Sequence, residues 1–217
     1  ISYAVTSNGA AIYNKKTGER IHGIAIEYAD LHSILDAFSD YFHNGQITYE
    51  AFVDGVAYGG REYVEHPEAF GVPERNVAYV QSTRKPVDDI IEFLSEHEEE
   101  LDSLDIVAAD TALYQKIEEQ IPLVTKSVYT TSAVSYRLEI SHKNSGKATG
   151  LAYVLKLLDI TPEETVAFGD GDNDAEMLEF AGLGVAMENA TENCKAAADI
   201  VCDCCKNDGV ARFLYGF

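Results

Sequence analysis

The sequence predicts an α/β fold, in which a Rossmann-like parallel-sheet core carries an inserted α+β region. Two observations support this prediction. From about residue 145 onward, short apolar strands alternate with helices, which is typical of βαβ units on a parallel, Rossmann-like sheet. Between residues 24 and 139 the pattern is mixed and aromatic, which indicates an α+β insertion. We therefore divide the chain into a leading core segment (1–23), the insertion (24–140) and the main core (141–217).

The leading segment predicts three short strands. The first covers Tyr3–Ser7 and ends at Asn8-Gly9, a turn signal. The stretches Ala11–Asn14 and Arg20–Ile26 flank the turn residues Lys16–Gly18, which predicts a hairpin.

The insertion begins with a helix, since apolar residues at helical spacing run over Tyr28–Phe42 and stop before Asn44-Gly45. The elements predicted after it are β structure within Gln46–Gly60, a helix over Asp88–Glu100, a strand over Asp105–Ala109, a helix over Thr111–Gln120 and a strand pair within Ser127–Ser141.

The main core predicts alternating helices and strands. They are a helix over Gly146–Leu158, a strand over Thr165–Phe168, a helix over Asp174–Phe180, a strand over Gly184–Met187, a helix over Thr191–Ala198 and a strand over Ile200–Cys202. Ligands of such sheets bind beyond the carboxyl ends of the strands. Asp170, directly after its strand, therefore lies where the fold places its chemistry.

The charge balance limits the classes of partner. Sixteen basic and 37 acidic residues give a net charge of −21, which disfavours nucleic acid and anionic membranes and suits metal cations. No apolar run reaches the roughly 18 residues of a membrane span, and no basic-then-apolar leader opens the chain, so we expect a cytoplasmic protein.

Cysteine and histidine do not form a metal-ligand pattern. The cysteines lack paired CxxC spacing and a nearby histidine, so we expect free thiols in a reducing compartment. They crowd into one segment as Cys194, Cys202, Cys204 and Cys205. We expect each histidine to be a surface or packing residue. These are His22, His32, His43, His66, His97 and His142.

The acidic stretch VAFGDGDNDAEML, from Val166 to Leu178, does not fit three familiar loops. A calcium loop starting at Asp170 would need glycine and glutamate where Ala175 and Ala181 stand. A dinucleotide-binding turn would need a third glycine at Asp174. A phosphate loop around Lys147 would need serine or threonine at Ala148.

One functional interpretation of this stretch remains, which is a metal site. Asp170 at a strand end and Asp174 in the first turn of the next helix are hard oxygen ligands that can converge on one Mg²⁺ ion. Gly169 and Gly171 permit a tight turn between them. The alternative is that residues 172–174 only cap the helix that follows.

Longer stretches resemble a known family. GDGDND with AEML, then AGLGVAMENA, AADIV and NDGV, is similar to the C-terminal half of the haloacid dehalogenase superfamily, in its Cof-type sugar-phosphate phosphatase branch. SGKATGLAYVLKLLDI resembles that branch's lysine-bearing segment. TSNGAAIYN resembles the segment that leads from the core into the cap. The insertion would then be an α+β cap domain. Glu188 is a departure, because the branch often has glycine there.

The resemblance implies roles for individual residues. Asp170 would bind Mg²⁺ directly, and Asp174 would support the metal through water or orient Lys147. Asn173 would hydrogen-bond the phosphoryl group, and Lys147 would neutralise charge on its oxygens. Asn8 is a further candidate for the phosphate site, although its turn has a purely local explanation as well. Four cap arginines could face a substrate, with no ground to choose among them: Arg61, Arg75, Arg84 and Arg137.

One part of the family's active site has no counterpart here. The nucleophile and the acid/base of this family lie in a DxDGT motif, but the spacing Asp-x-Asp occurs only inside GDGDND. We therefore expect this chain to be a C-terminal portion of a longer phosphatase, inactive alone and prone to self-associate through its incomplete core.

The resemblance implies a Mg²⁺-dependent phosphohydrolase of small phosphorylated metabolites, acting through an aspartyl-phosphate. Two alternatives stay open. One is a non-catalytic binding or regulatory protein that keeps the fold, and the other is a phosphotransferase, such as a mutase, of the same superfamily.

Overall fold

The computed structural model of the chain describes residues 1–216. Its strands are β1 (Tyr3–Thr6), β2 (Ala11–Asn14), β3 (Arg20–Gly23), β4 (Ile47–Val53), β5 (Val56–Gly60), β6 (Arg84–Val87), β7 (Leu101–Ala108), β8 (Val128–Val134), β9 (Arg137–His142), β10 (Val166–Gly169), β11 (Leu183–Met187) and β12 (Ile200–Cys202). Its α-helices are α1 (Tyr28–His43), α2 (Arg61–Glu65), α3 (Glu74–Thr83), α4 (Ile90–Glu96), α5 (Thr111–Val124), α6 (Lys147–Leu158), α7 (Ala175–Phe180), α8 (Glu192–Ala196) and α9 (Gly209–Tyr215).

The largest sheet has six strands in the order β6-β5-β4-β7-β9-β8, and only β5 and β6 run parallel to each other. One face of this sheet packs against α1, α4 and α5. Leu31, Leu94 and Ile117 from these helices join Tyr49 and Ile106 of the strands in one buried cluster. Because side chains alternate along a strand, the residues next to these apolar positions point to the opposite face.

That opposite face carries three carboxylates side by side. Glu50 pairs with Asp105 across β4 and β7, and Asp105 pairs with Glu139 across β7 and β9. Like charges directly opposite each other destabilise a sheet, so this carboxylate row (Glu50, Asp105 and Glu139) requires cations. Arg84 bonds Glu50 through two nitrogens, at 2.9 and 2.8 Å. Arg137 lies within 3.6 Å of Glu50, 3.3 Å of Asp105 and 3.0 Å of Glu139.

The second sheet contains β10, β11 and β12, all parallel and in that order. Its apolar residues pack against α7 and α8, with Ala186, Leu178 and Cys194 almost fully buried. β10 ends at Gly169, so the turn that follows it, called the acidic turn here (residues 170–174), begins at the carboxyl edge of this sheet.

The third sheet is the antiparallel β1-β2-β3 meander, and the turn after β1 abuts the start of α6. Gly9 has a φ of +92°, and a Cβ there would lie 2.1 Å from the carbonyl oxygen of Gly146. A glycine is therefore required for this close approach, which brings Asn8 next to Lys147.

The elements predicted in both core segments, including the parallel sheet, are present, although β3 ends at Gly23 rather than at Ile26. The helix expected over Asp88–Glu100 is shorter, since α4 covers Ile90–Glu96 and Asp89 caps it by accepting from the N–H groups of Ile91 and Glu92. The helices α2, α3 and α9 and the strand β6 were not predicted, because they are short and lack a clear apolar period. The domain boundaries near residues 24 and 140 stay a prediction. Among the helices of residues 1–216, none has the length and apolar character needed to cross a bilayer.

Candidate active site

The acidic turn is organised around the buried carboxylate of Asp174. Its Oδ2 accepts hydrogen bonds from the backbone N–H groups of Asp170 and Gly171, both at 2.9 Å. Its Oδ1 accepts from Lys147 Nζ at 2.5 Å. A Cβ at Gly169 would lie 2.4 Å from Asp174 Cβ, so the chain can fold this tightly only with glycine there.

Lys147 is the first residue of α6, and its ammonium group closes on the acidic turn. Besides Asp174, Nζ contacts Asn173 Oδ1 at 3.2 Å. Asn173 in turn donates from Nδ2 to Asn8 Oδ1 at 3.0 Å. Lys147, Asn173, Asp174 and Asn8 therefore form one cluster, although they come from three separate parts of the sequence.

Asp170 and Asp172 differ from Asp174 in exposure. The Asp170 carboxylate is exposed at the edge of the sheet, and its Oδ2 accepts from Asn189 Nδ2 at 3.3 Å. Asp172 is also exposed, and its Oδ1 accepts from the hydroxyl of Thr191 at 2.6 Å. Its carboxylate thus ties the turn to the start of α8.

The electrostatics keep Asp174 ionised. Burial by itself raises the pKa of this carboxyl, but the hydrogen bonds from Lys147 and from the Gly171 and Asp170 amides outweigh it and hold the pKa below its usual range. The Lys147 charge is matched by Asp174, so the exposed carboxylates of Asp170 and Asp172 leave the turn locally negative.

The donors fit Mg²⁺ as a partial ligand set. Within residues 1–216 no three histidine, cysteine or acidic side chains are grouped closely enough to hold a metal by themselves. Both oxygens of Asp174 are already engaged, whereas the carboxylates of Asp170 and Asp172 are exposed, and of these two the family resemblance names Asp170 as the direct ligand. Mg²⁺ commonly takes one or two carboxylates and completes its shell with water and substrate oxygens. Asp174 contacts Lys147 directly, and its expected part in supporting the metal stays a prediction.

A cavity of about 300 Å³ opens beside this cluster. Asn8 lines it from the core side, and Arg84, Arg137, Asp105 and Glu139 line it from the large sheet. Burial raises the pKa of Asp105; the guanidinium of Arg137 opposes this, but the charges of Glu50 and Glu139 add to it, and the pKa stays well above its usual range.

A second cavity, of about 440 Å³, is lined by Asn8 and Lys147 among others. Its wall is mainly apolar and includes Val5, Leu151 and Met177. Asn8 lines both cavities, whereas Lys147 lines the apolar one.

Sequence reasoning found the turn and the lysine, but it missed the carboxylate row. Of the four arginines considered, Arg84 and Arg137 line the cavity beside Asn8. Arg61 instead pairs with Asp88 at 2.7 Å, and Arg75 is exposed on α3. The alternation of charged and apolar residues, as in Leu138-Glu139-Ile140, was the available signal, but it equally fits a solvated sheet face.

Comparison with known proteins agrees with the family resemblance found in the sequence. The family model for haloacid dehalogenase-like hydrolases matches residues 1–214. The phosphatase YwpJ of Bacillus subtilis is 29% identical over 236 aligned positions, which cover 98% of this chain and 78% of that protein. A solved haloacid dehalogenase-like hydrolase from B. subtilis superposes with a TM-score of 0.79 at 24% identity, covering 98% of this chain and 78% of the other.

A second relative gives a shorter match at higher identity. The phosphoglycolate phosphatase of Methanopyrus kandleri is 50% identical over 80 residues. That segment covers 37% of this chain and 34% of the relative, so the match spans about a third of its length.

Proposed function

The chain belongs to the haloacid dehalogenase-like hydrolase family, and we propose that its protein is a Mg²⁺-dependent phosphohydrolase of small phosphorylated metabolites. One observation carries the proposal. An ammonium group and an amide, from Lys147 and Asn173, meet beside Asp174 at the carboxyl edge of a parallel sheet. The exposed carboxylate of Asp170 belongs to the same turn, and the backbone N–H of Asp170 donates to Asp174. These are the groups that a transferring phosphoryl group and its metal require.

Each side chain has a definite task in this proposal. Lys147 balances the negative charge that spreads over the phosphoryl oxygens in the transition state. Asn173 donates an amide N–H to one of those oxygens. Asp170 holds Mg²⁺, which when bound polarises the phosphoryl oxygens and neutralises their charge. Asp174 fixes the lysine and the turn, so that these groups are in place before substrate arrives.

We further propose that the attacking aspartate comes from a segment outside these 217 residues. The only Asp-x-Asp spacings in the sequence lie within the turn itself, where Asp174 is fully engaged. The apolar cavity lined by Val5, Leu151 and Met177 borders Lys147 and would suit a buried strand carrying that residue. The chain alone would then be inactive and inclined to self-associate there.

The substrate is proposed at the level of a class. A small phosphate ester, such as a sugar phosphate, would place its phosphoryl group at Lys147 and its leaving group in the 300 Å³ cavity. The named activity of the M. kandleri relative concerns another small ester, phosphoglycolate. A cytoplasmic location belongs to the same proposal, since such metabolites occur there.

The decisive experiment uses the natural full-length protein and a panel of phosphate esters, with Mg²⁺ and with EDTA. We expect Mg²⁺-dependent release of phosphate. Asp170→Asn should lower kcat/KM by about 100-fold or more, because a metal ion contributes several kcal/mol to such transition states.

The matched control is Asp172→Asn, which removes the same charge two residues away. Because Asp172 bonds Thr191 rather than the cluster, we expect kcat/KM within about 3-fold of the wild type. Equal losses in both variants would show that general charge, not a metal ligand, was tested. Wild-type protein without Mg²⁺-dependent turnover would refute the proposed function.

A further inference from the structure

A run of hydrogen bonds leaves the cluster and ends in the large sheet. It starts at Lys147 and passes through the side chains of Asn173 and Asn8. Asn8 Nδ2 then donates to Glu139 Oε2 at 2.8 Å. The other oxygen of Glu139 accepts from Arg137 at 3.0 Å. A carboxylate of β9 is thus three hydrogen bonds away from the ammonium group on α6.

The two ends of this run fix the direction of everything between them. An ammonium group can only donate, and an ionised carboxylate can only accept. Asn173 must therefore turn its oxygen to Lys147 and its nitrogen to Asn8, and Asn8 must turn its nitrogen to Glu139. In this orientation Asn173 keeps a second N–H for a phosphoryl oxygen. An amide turned the other way would present its carbonyl oxygen to that anion.

Asn8 is held in place from its backbone as well. Its φ and ψ are 49° and 40°, a left-handed conformation that asparagine tolerates better than most residues. Its carbonyl oxygen accepts from the N–H of Gly146 at 2.6 Å, next to Lys147. The backbone thus fixes where Asn8 lies, and Glu139 fixes how its amide is turned.

Glu139 is itself well anchored. Its side chain is 14% exposed, and it belongs to the carboxylate row that Arg137 neutralises. The anchoring lies in the large sheet, while the groups that depend on it lie beside the parallel sheet.

We propose that Glu139 is a positioning residue, which acts through Asn8 to orient the Asn173 amide and to steady Lys147. This inference rests on the proposed function, because its consequence is measured as phosphoryl transfer. It adds a requirement from outside the acidic turn, namely that a carboxylate of the large sheet must face Asn8.

Exchanging the two interacting groups tests the proposal. In full-length protein, Glu139→Gln keeps the size of the side chain, but its single acceptor oxygen replaces two carboxylate oxygens, one of which faces Asn8 and the other Arg137. Asn8→Asp still accepts from Asn173 but cannot donate to Glu139, and it adds repulsion. We expect each single variant to lower kcat by about 10-fold with KM changed less than about 2-fold, since misplacing groups that act in the transition state chiefly affects kcat.

The double variant Asn8→Asp/Glu139→Gln restores every partner. The introduced glutamine donates to the introduced aspartate and accepts from Arg137, and the aspartate accepts from Asn173. We expect kcat to recover to within about 3-fold of the wild type, whereas independent effects would multiply to about 100-fold. Glu119→Gln, an exposed position on α5, is the charge-matched control and should leave kcat unchanged.

Thermal unfolding of each variant identifies any loss of fold. Wild-type kcat in the single variants, or a double variant as slow as the product of the singles, would overturn the inference while the Asp170→Asn result stands. If Glu139→Gln does not fold, Asn8→Asp decides alone, and unchanged kcat there overturns it. Wild-type protein without Mg²⁺-dependent turnover would overturn this inference together with the proposed function.

Discussion

The acidic turn and the carboxylate row both gather three acidic side chains, but different groups neutralise them. In the turn, Asp174 accepts from two backbone N–H groups and one lysine. In the row, Glu50 is fully buried and held by two arginines, Arg84 and Arg137. The turn also leaves exposed carboxylates facing solvent, whereas the row leaves none on its buried strands β4 and β7.

This difference suits the turn to binding and the buried part of the row to stability. Backbone amides and one lysine satisfy a single carboxylate in the turn, so the rest of its negative charge stays available for a cation. Arginines wedged against the row balance its charge internally, so that losing one partner leaves others buried and unpaired. We therefore expect changes at the two buried carboxylates of the row, Glu50 and Asp105, to act mainly on folding, and changes in the turn mainly on activity.

The largest effect on stability is expected at Glu50. Glu50→Gln removes the carboxylate that Arg84 binds through two nitrogens and that Tyr63 contacts at 2.5 Å. Breaking a buried pair from one side should lower the free energy of unfolding by about 4 kcal/mol. Urea unfolding of the chain measures this, with Glu119→Gln as the exposed control. A loss below about 1 kcal/mol would mean that the row is solvated.

The separation along the chain between interacting residues determines how much of each region the sequence could predict. The turn's own contacts lie within a few residues, so spacing alone indicated Asp170 and Asp174. In the row, Arg84 lies 34 residues from Glu50. Asn8 lies 131 residues from Glu139. Such pairs depend on the strand order β4-β7-β9, which no local pattern contains.

The resemblance supplied one long-range contact of the site. It brought Lys147 to the turn 27 residues away, where the structure also has it. It could not supply the roles of Glu139 or Arg137, because those residues lie in the insertion, which matched mainly by position and pattern. The fold class was predictable from alternating elements, but the polar face of the large sheet was not.

Asp102 is an intermediate case, buried like the row but with one arginine as its partner. It contacts Arg20, which is shared with the exposed Asp54, and its second oxygen has no hydrogen-bond partner. Burial raises the pKa of Asp102 to about 6, against the opposing charge of Arg20. The folded protein therefore keeps a proton that the unfolded chain releases, and stability falls as the pH rises from about 4 to about 6.

For this group alone the fall should be about 3 kcal/mol, and Asp102→Asn should remove it. Denaturant unfolding of wild type and variant at pH 4 and pH 7 measures the difference. Asp54→Asn is the matched control, since its carboxylate contacts the same arginine but is 68% exposed. A pH dependence identical in wild type and Asp102→Asn would mean that Asp102 stays ionised throughout.

Substitution of Asp174 should affect activity more than stability, which is the reverse of the expectation for Glu50. Asp174→Asn keeps the shape, but its amide cannot accept from Lys147 and from two backbone N–H groups together. We expect the free energy of unfolding to fall by about 2 kcal/mol, since one buried donor loses its acceptor. In full-length protein kcat should fall by about 100-fold, because the lysine is released from its position. A variant that is unstable but fully active would place the turn in the same class as the row.

The smallest effect is expected where a carboxylate is neither buried nor linked to the cluster. Glu192 opens α8 with a side chain that is 94% exposed, and it contacts Lys195 at 3.2 Å one turn later. Solvent screens such a pair, and the dipole of a short helix adds little, so Glu192→Gln should change the free energy of unfolding by less than about 0.5 kcal/mol. Urea unfolding at low and high salt measures the contribution of this pair to the free energy of unfolding, because added salt weakens an exposed pair but hardly affects a buried one. A loss near that of Asp174→Asn would show that charge count, rather than the surroundings of each carboxylate, governs stability in this acidic protein.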